Sequence, residues 1–171
     1  MEKLLIVVDM QNDFVTGALA NPAAAKIIPG IKAEIESNSY DSIIFTRDTH
    51  FKNYLETQEG KNLPIPHCIL NTDGHEVVDE LKSTIQYNIS QIVDKTTFGY
   101  QNWPSVIRKQ FDEIVLVGTC TDICVVSNAL ILKALYPDTI ISVKENCCAG
   151  LSPEKHNAAI ETMKSCQVNV Y

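Results

Sequence analysis

The sequence has no apolar run approaching the roughly 20 residues needed to cross a bilayer. Its opening, Met1-Glu2-Lys3 and then five apolar residues, is too short for a signal peptide. Positive charge is scarce: 14 Lys and Arg stand against 21 Asp and Glu, for a net charge of −7. That balance argues against a nucleic-acid partner or an anionic membrane surface. None of the six cysteines (68, 120, 124, 147, 148, 166) forms a C-x-x-C pair. A structural zinc knuckle or thioredoxin-type motif is therefore not expected. Repeats, low-complexity tracts and linkers are also missing. What remains is a composition of 45% apolar and 20% charged residues, ordinary for a globular chain. The length suits one domain over residues 1–171. The cytoplasm is the expected compartment, with the cysteines reduced.

Short apolar runs alternate with helical patterns. Leu4 to Val8 reads as a buried parallel strand, because a half-exposed strand would alternate. Met10 to Pro22 reads as a loop. Ile27, Ile28, Ile31 and Ile35 then share one helical face. Further strands are expected at Ser42–Thr46, Gln91–Val93, Ile114–Val117, Thr139–Val143 and Val168–Val170. Helices are expected at Val77–Ile85, Pro104–Phe111, Val125–Tyr136 and Ser152–Lys164. Ser152 and Pro153 supply a cap and a first-turn residue to the last of these. The polar segment Arg47–Gly74 is long for an irregular stretch and implies a use. This order predicts an α/β fold: a doubly wound, Rossmann-like parallel sheet of six strands flanked by helices.

Such sheets bind ligands beyond the carboxyl ends of their strands. Asp9, Asp48 with His50, Lys95 and Cys124 each follow a different predicted strand, so they share that edge. Cys124 is placed at the start of a helix, where partial positive charge favours a nucleophilic thiolate. A buried, inert cysteine is the plain alternative. With Lys95 favouring the thiolate and Asp9 moving the proton, Cys124 could run acyl transfer to a thioester. Backbone N–H groups at the turn would hold the oxyanion. A redox pairing of Cys120 with Cys124 is the weaker alternative. Asp48, His50 and His67 suit Zn²⁺, Fe²⁺ or Mn²⁺, with Glu59 as a further ligand or a solvated loop acid. His75 and His156 read as surface or helix residues without a role.

Five motifs, in order over essentially the whole chain, resemble those of the isochorismatase-like cysteine hydrolases, which include the nicotinamidases. Val8-Asp9-Met10-Gln11-Asn12-Asp13-Phe14 is similar to their D-x-Q-N-D-F signature. Thr46-Arg47-Asp48-Thr49-His50-Phe51 resembles the T-x-D-x-H-F metal motif. Pro66-His67-Cys68 with Asn71-Thr72-Asp73-Gly74 resembles P-H-C…G-T-x-G, with Asn71 where glycine is usual. Asp94-Lys95-Thr96-Thr97-Phe98 matches the catalytic-lysine motif, and Gly118–Val125 matches G-x-x-T-D-x-C-V. Cys148-Ala149-Gly150 also fits.

The resemblance implies a Cys124–Asp9–Lys95 triad and a cis peptide between Thr119 and Cys120. It implies an oxyanion hole from the N–H groups of Cys120 and Cys124, and one divalent metal on Asp48, His50 and His67. Zinc is the expected ion, with iron or manganese as alternatives, and Glu59 stands where some members add a ligand. Phe14 would line the substrate pocket. A dimer or tetramer is implied, as is a nicotinamidase-type amidase releasing nicotinate and ammonia. One departure is the lack of an aromatic just before Pro66-His67, where many nicotinamidases stack the substrate ring; Tyr100 and Trp103 are substitute candidates. Isochorismatases proper lack the metal set. The alternatives are an amidase of another small amide, such as a carbamoyl or ureido compound, and a non-catalytic ligand-binding domain.

Overall fold

A computed structural model describes residues 1–171. The elements run β1 (Lys3–Val8), α1 (Asn12–Val15), α2 (Pro22–Glu36), β2 (Ser42–Asp48), α3 (Gln58–Asn62), α4 (Asp79–Lys82), α5 (Ile85–Ile89), β3 (Gln91–Lys95), α6 (Trp103–Val106), β4 (Glu113–Thr119), α7 (Val126–Leu135), β5 (Ile140–Ala149), α8 (Pro153–Ser165) and β6 (Asn169–Val170). All strand pairs are parallel, in the order β3-β2-β1-β4-β5-β6. The sheet is the six-stranded doubly wound one that the alternation of runs predicts.

The continuous apolar run of β1 is explained by its two buried faces. Leu4, Ile6 and Val8 join one core with Trp103, Leu132 of α7 and Met163 of α8. Leu5 and Val7 join the other, against Ile27, Ile28, Ile31 and Ile35 of α2. The start of α2 is fixed locally: the Asn21 side chain accepts the Ala23 N–H at 3.0 Å and Pro22 fills the first turn.

Several boundaries differ from the sequence expectation. β5 continues six residues past Val143, through the polar Lys144-Glu145-Asn146. The sheet register shifts between Leu116 and Gly118, so the strand resumes pairing at Cys148 and Ala149 after the polar interruption. The helix expected over 104–111 is one turn long, because Ile107 and Phe111 reach the core from irregular backbone. The segment 77–85 gives α4 and then Thr84, whose hydroxyl caps α5 through the Tyr87 N–H. The loop after β1 contains the single turn α1.

The chain crosses from one side of β1 to the other between β3 and β4. That reversal opens a crevice at the carboxyl ends of β1 and β4. Gly118, at φ +121°, is what lets β4 approach there: a Cβ on it would lie 2.2 Å from the Val8 carbonyl oxygen.

Candidate active site and metal centre

Asp9 directly follows β1 in a left-handed backbone conformation, φ 49°. Thr46 on β2 fixes its carboxylate, donating its hydroxyl to Oδ1 at 2.6 Å. Lys95 ends β3 and reaches the other oxygen, Oδ2, at 2.7 Å. The same Nζ donates to the Thr97 carbonyl at 3.1 Å and lies 3.6 Å from Cys124 Sγ. Three residues at or just beyond the ends of three strands are thus brought together, and all three are buried.

Cys124 does not sit in the first turn of a regular α-helix. Thr121–Val125 form a π-type turn, closed by Val125 N–H donating to the Cys120 carbonyl at 3.1 Å, and α7 begins after it. The peptide between Thr119 and Cys120 is cis. Burial pushes the Cys124 thiol well above its ordinary value; Lys95 pulls it down, and Asp9 and Asp48 push it further up. Burial thus works against the free thiolate that a helix start alone would favour. Burial also raises Asp9 against the opposing pull of Lys95. Burial works against the Lys95 charge, yet Asp9, Cys124 and Asp48 outweigh it and hold the ammonium protonated.

Beside this group four side chains converge. His50 Nε2 lies 2.9 Å from Asp48 Oδ2 and 3.5 Å from Glu59 Oε1. His67 Nε2 lies 3.5 Å from Asp48 Oδ2 and 3.8 Å from Glu59 Oε1. Zinc ligands at about 2.1 Å in a tetrahedron stand about 3.4 Å apart, so these spacings fit an ion at the centre. The opposite nitrogen of His67, Nδ1, faces the Ile65 carbonyl at 2.8 Å, an arrangement that leaves Nε2 free to ligate. Asp48 turns Oδ2 to both imidazoles, while its Oδ1 lies 3.5 Å from Lys95 Nζ, so the carboxylate bridges the two clusters. Burial would raise Asp48, but His50, His67 and Lys95 hold it well below the usual carboxylate range.

A cavity of about 750 Å³ opens over Cys124, Asp48 and His67. Phe14, Leu19, Leu63, Phe98, Ile123 and Leu151 form its apolar wall. Tyr100 and Trp103, the sequence's substitute aromatics, do not line it. Trp103 is fully buried in the core, edge-on to Tyr100, and its indole N–H donates to Asn128 Oδ1 at 3.2 Å. Phe14, as expected, and Phe98, two residues beyond Thr96 in the lysine motif, are the phenylalanines that line the cavity. A second hollow, at the opposite end of the strands around Ile85 and Phe111, holds no thiol or imidazole.

Sequence reasoning assigned no role to three buried polar residues. Gln11 accepts the Asp48 N–H at 2.7 Å and donates to the carbonyls of Asp48 and His75, both at 2.9 Å. Asn128 accepts from Tyr100 N–H and donates to the carbonyls of Phe98 and Cys124, tying the cavity wall to the cysteine turn. His75, expected at the surface, is buried behind β2 with its Nε2 2.9 Å from the Thr49 hydroxyl. The residue before it is a glycine whose neighbour is Asp13, and that packing draws the loop inward. His156 is half-buried on α8 and pairs with the Thr121 hydroxyl at 2.8 Å.

Comparisons with known proteins agree with this geometry. The model of the isochorismatase domain matches residues 3–171. The nicotinamidase of Schizosaccharomyces pombe is 28% identical, over 97% of this chain and 91% of its own length. Among solved structures, the pyrazinamidase of Pyrococcus horikoshii in complex with zinc is 30% identical, with a TM-score of 0.82, covering 100% of this chain and 99% of that one. The N-carbamoylsarcosine amidase from Thermoplasma acidophilum is 27% identical, with a TM-score of 0.79, over 99% and 95% of the two chains.

Proposed function

This chain belongs to the isochorismatase family, and from that premise we propose that it is a metal-assisted cysteine amidohydrolase converting nicotinamide and water to nicotinate and ammonia. One observation carries the chemistry: Lys95 Nζ lies 2.7 Å from Asp9 and 3.6 Å from Cys124 Sγ at the floor of a cavity flanked by the four-ligand cluster.

Asp9 takes the Sγ proton as the sulfur attacks the amide carbonyl carbon. Lys95 stays protonated and offsets the negative charge that passes between carboxylate and sulfur. The N–H groups of Cys120 and Cys124 receive the oxyanion of the tetrahedral intermediate. Asp9 returns its proton to the departing nitrogen, ammonia leaves, and a thioester remains on Cys124. Water then attacks the thioester while Asp9 takes its proton. The proton returns to sulfur as the acid is released. Asp48, His50, His67 and Glu59 would hold one divalent ion, zinc first and iron or manganese otherwise. When bound, that ion supplies an open coordination position for a lone pair of the substrate.

The nicotinamidases and pyrazinamidase among the relatives support a heteroaromatic amide. The carbamoylsarcosine amidase neighbour supports a second reading, the same chemistry on a small carbamoyl compound. So do Leu63 and Ile65, the aliphatic residues before Pro66-His67, where many nicotinamidases carry a ring-stacking aromatic. The assembled triad disfavours a purely ligand-binding role. Six unpaired cysteines suit a reducing cytoplasm, and we place the protein there as a homo-oligomer. Ammonia release from nicotinamide, compared with N-carbamoylsarcosine, tests the substrate. Faster release from nicotinamide is expected, and the reverse order would favour the second reading.

A further inference from the structure

The cavity over Cys124 is lined by two carboxylates and one imidazole. Its ionisable carboxylates are Asp48 and Glu59, and no lysine or arginine is among its lining residues. Lys95 reaches the floor from behind, but its side chain is fully buried and committed to Asp9, Asp48, the Thr97 carbonyl and Cys124. Arg47 is held elsewhere, by Asp94 at 2.7 Å and Glu76 at 3.3 Å. Lys155 borders a separate shallow hollow with Val126 and Thr162. The wall itself is apolar from Phe14 to Leu151.

We propose that this site selects uncharged amides and rejects amides carrying a carboxylate, such as N-carbamoyl amino acids and ureido acids. The proposal rests on the amidohydrolase reading above and narrows its substrate class. A carboxylate entering the cavity sheds water against Phe14, Leu19, Leu63 and Phe98 and finds no ammonium or guanidinium to replace it. Without a metal ion, Asp48 and Glu59 add like-charge repulsion. A divalent ion on the four ligands would offset those two carboxylates and leave no surplus positive charge for a third. A neutral ring or short chain meets none of these penalties, and its apolar part gains contact with the wall. Selection therefore falls on charge at the end of the molecule away from the amide.

The test uses metal-loaded protein and matched pairs that differ by one carboxylate: nicotinamide against 5-carbamoylnicotinate, and butyramide against succinamate. Turnover is read as kcat/KM from ammonia release, and binding by calorimetry on Cys124→Ala. The acidic member of each pair is expected to fall behind by on the order of a hundredfold. Leu151→Arg places a cation at a rim position that is 52% exposed, where a long side chain needs no repacking. It is expected to narrow the gap by roughly tenfold. An acidic member equal to its neutral partner, or a gap unchanged by Leu151→Arg, overturns the proposal. Failure of the nicotinamidase reading looks different: no ammonia comes from nicotinamide while the butyramide–succinamate gap persists.

Discussion

Lys95 Nζ lies 2.7 Å from Asp9 Oδ2, with neither side chain exposed to solvent. An ion pair this deep is held by its mutual compensation, so removing one partner strands the other charge. Asp9→Asn is expected to destabilise the fold by about 3–5 kcal/mol. It is also expected to slow hydrolysis by about 10²–10⁴-fold, because the proton carrier is gone. Thermal unfolding and ammonia release read the two effects separately. An Asp9→Asn protein with full activity would place the base elsewhere.

Gln11 clamps the backbone of Asp48 through both its N–H and its carbonyl. β3 holds the other side of Asp48 through its pairing with Lys95. Gln11 would thus position Asp48, the proposed metal donor, from outside the ligand set. Gln11→Glu keeps the size and one acceptor but sets a carboxylate oxygen against two carbonyls. Zinc affinity, measured by chelator competition, is expected to fall about 10–100-fold. If affinity holds while the melting temperature drops, Gln11 serves the fold alone.

Gly118 leaves no room for a side chain beneath the Val8 carbonyl, and its φ of +121° is foreign to L-residues. Gly118→Ala should cost at least ~2 kcal/mol from backbone strain and close contact together. The shift in urea midpoint measures this. An unperturbed midpoint would mean that the β1–β4 junction is looser than described.

Glu34 on α2 pairs with Lys144 of β5 and accepts the Tyr40 hydroxyl at 2.8 Å. Burial would raise its carboxyl, but Lys144 and Tyr40 outweigh burial and the net shift is down from 4.5. A lowered folded-state value means that this stabilisation is complete above pH 4.5 and is lost as pH falls below it. Melting temperature followed downward from pH 6 should therefore drop less steeply for Glu34→Gln than for the wild type. Parallel curves would remove Glu34 from the account.

The residues proposed for the chemistry were legible because each ends a strand or fills a motif of fixed spacing. Asp9, Lys95 and Cys124 meet in space because β1, β3 and β4 deliver them to the same edge of the sheet. Gln11, Asn128 and His75 were not legible in their roles. Their value lies in hydrogen bonds to groups up to 64 residues away, and no local pattern encodes such partners. Trp103 misled for a related reason. An indole suits a ligand wall and a core equally, and Asn128 decides between them by taking its N–H. The far half of β5 stayed hidden because Lys144-Glu145-Asn146 breaks the apolar run while the backbone keeps its extended course.

The nucleophilic role of Cys124 is tested most directly by one rate comparison. Ammonia release from nicotinamide is measured for the metal-loaded wild type and for Cys124→Ala, with folding of both checked by circular dichroism. The wild type is expected to release ammonia, and the variant to lose at least about 10³-fold in rate, because the sulfur beside Lys95 and Asp9 is gone. A folded Cys124→Ala protein that hydrolyses nicotinamide at the wild-type rate would contradict the account.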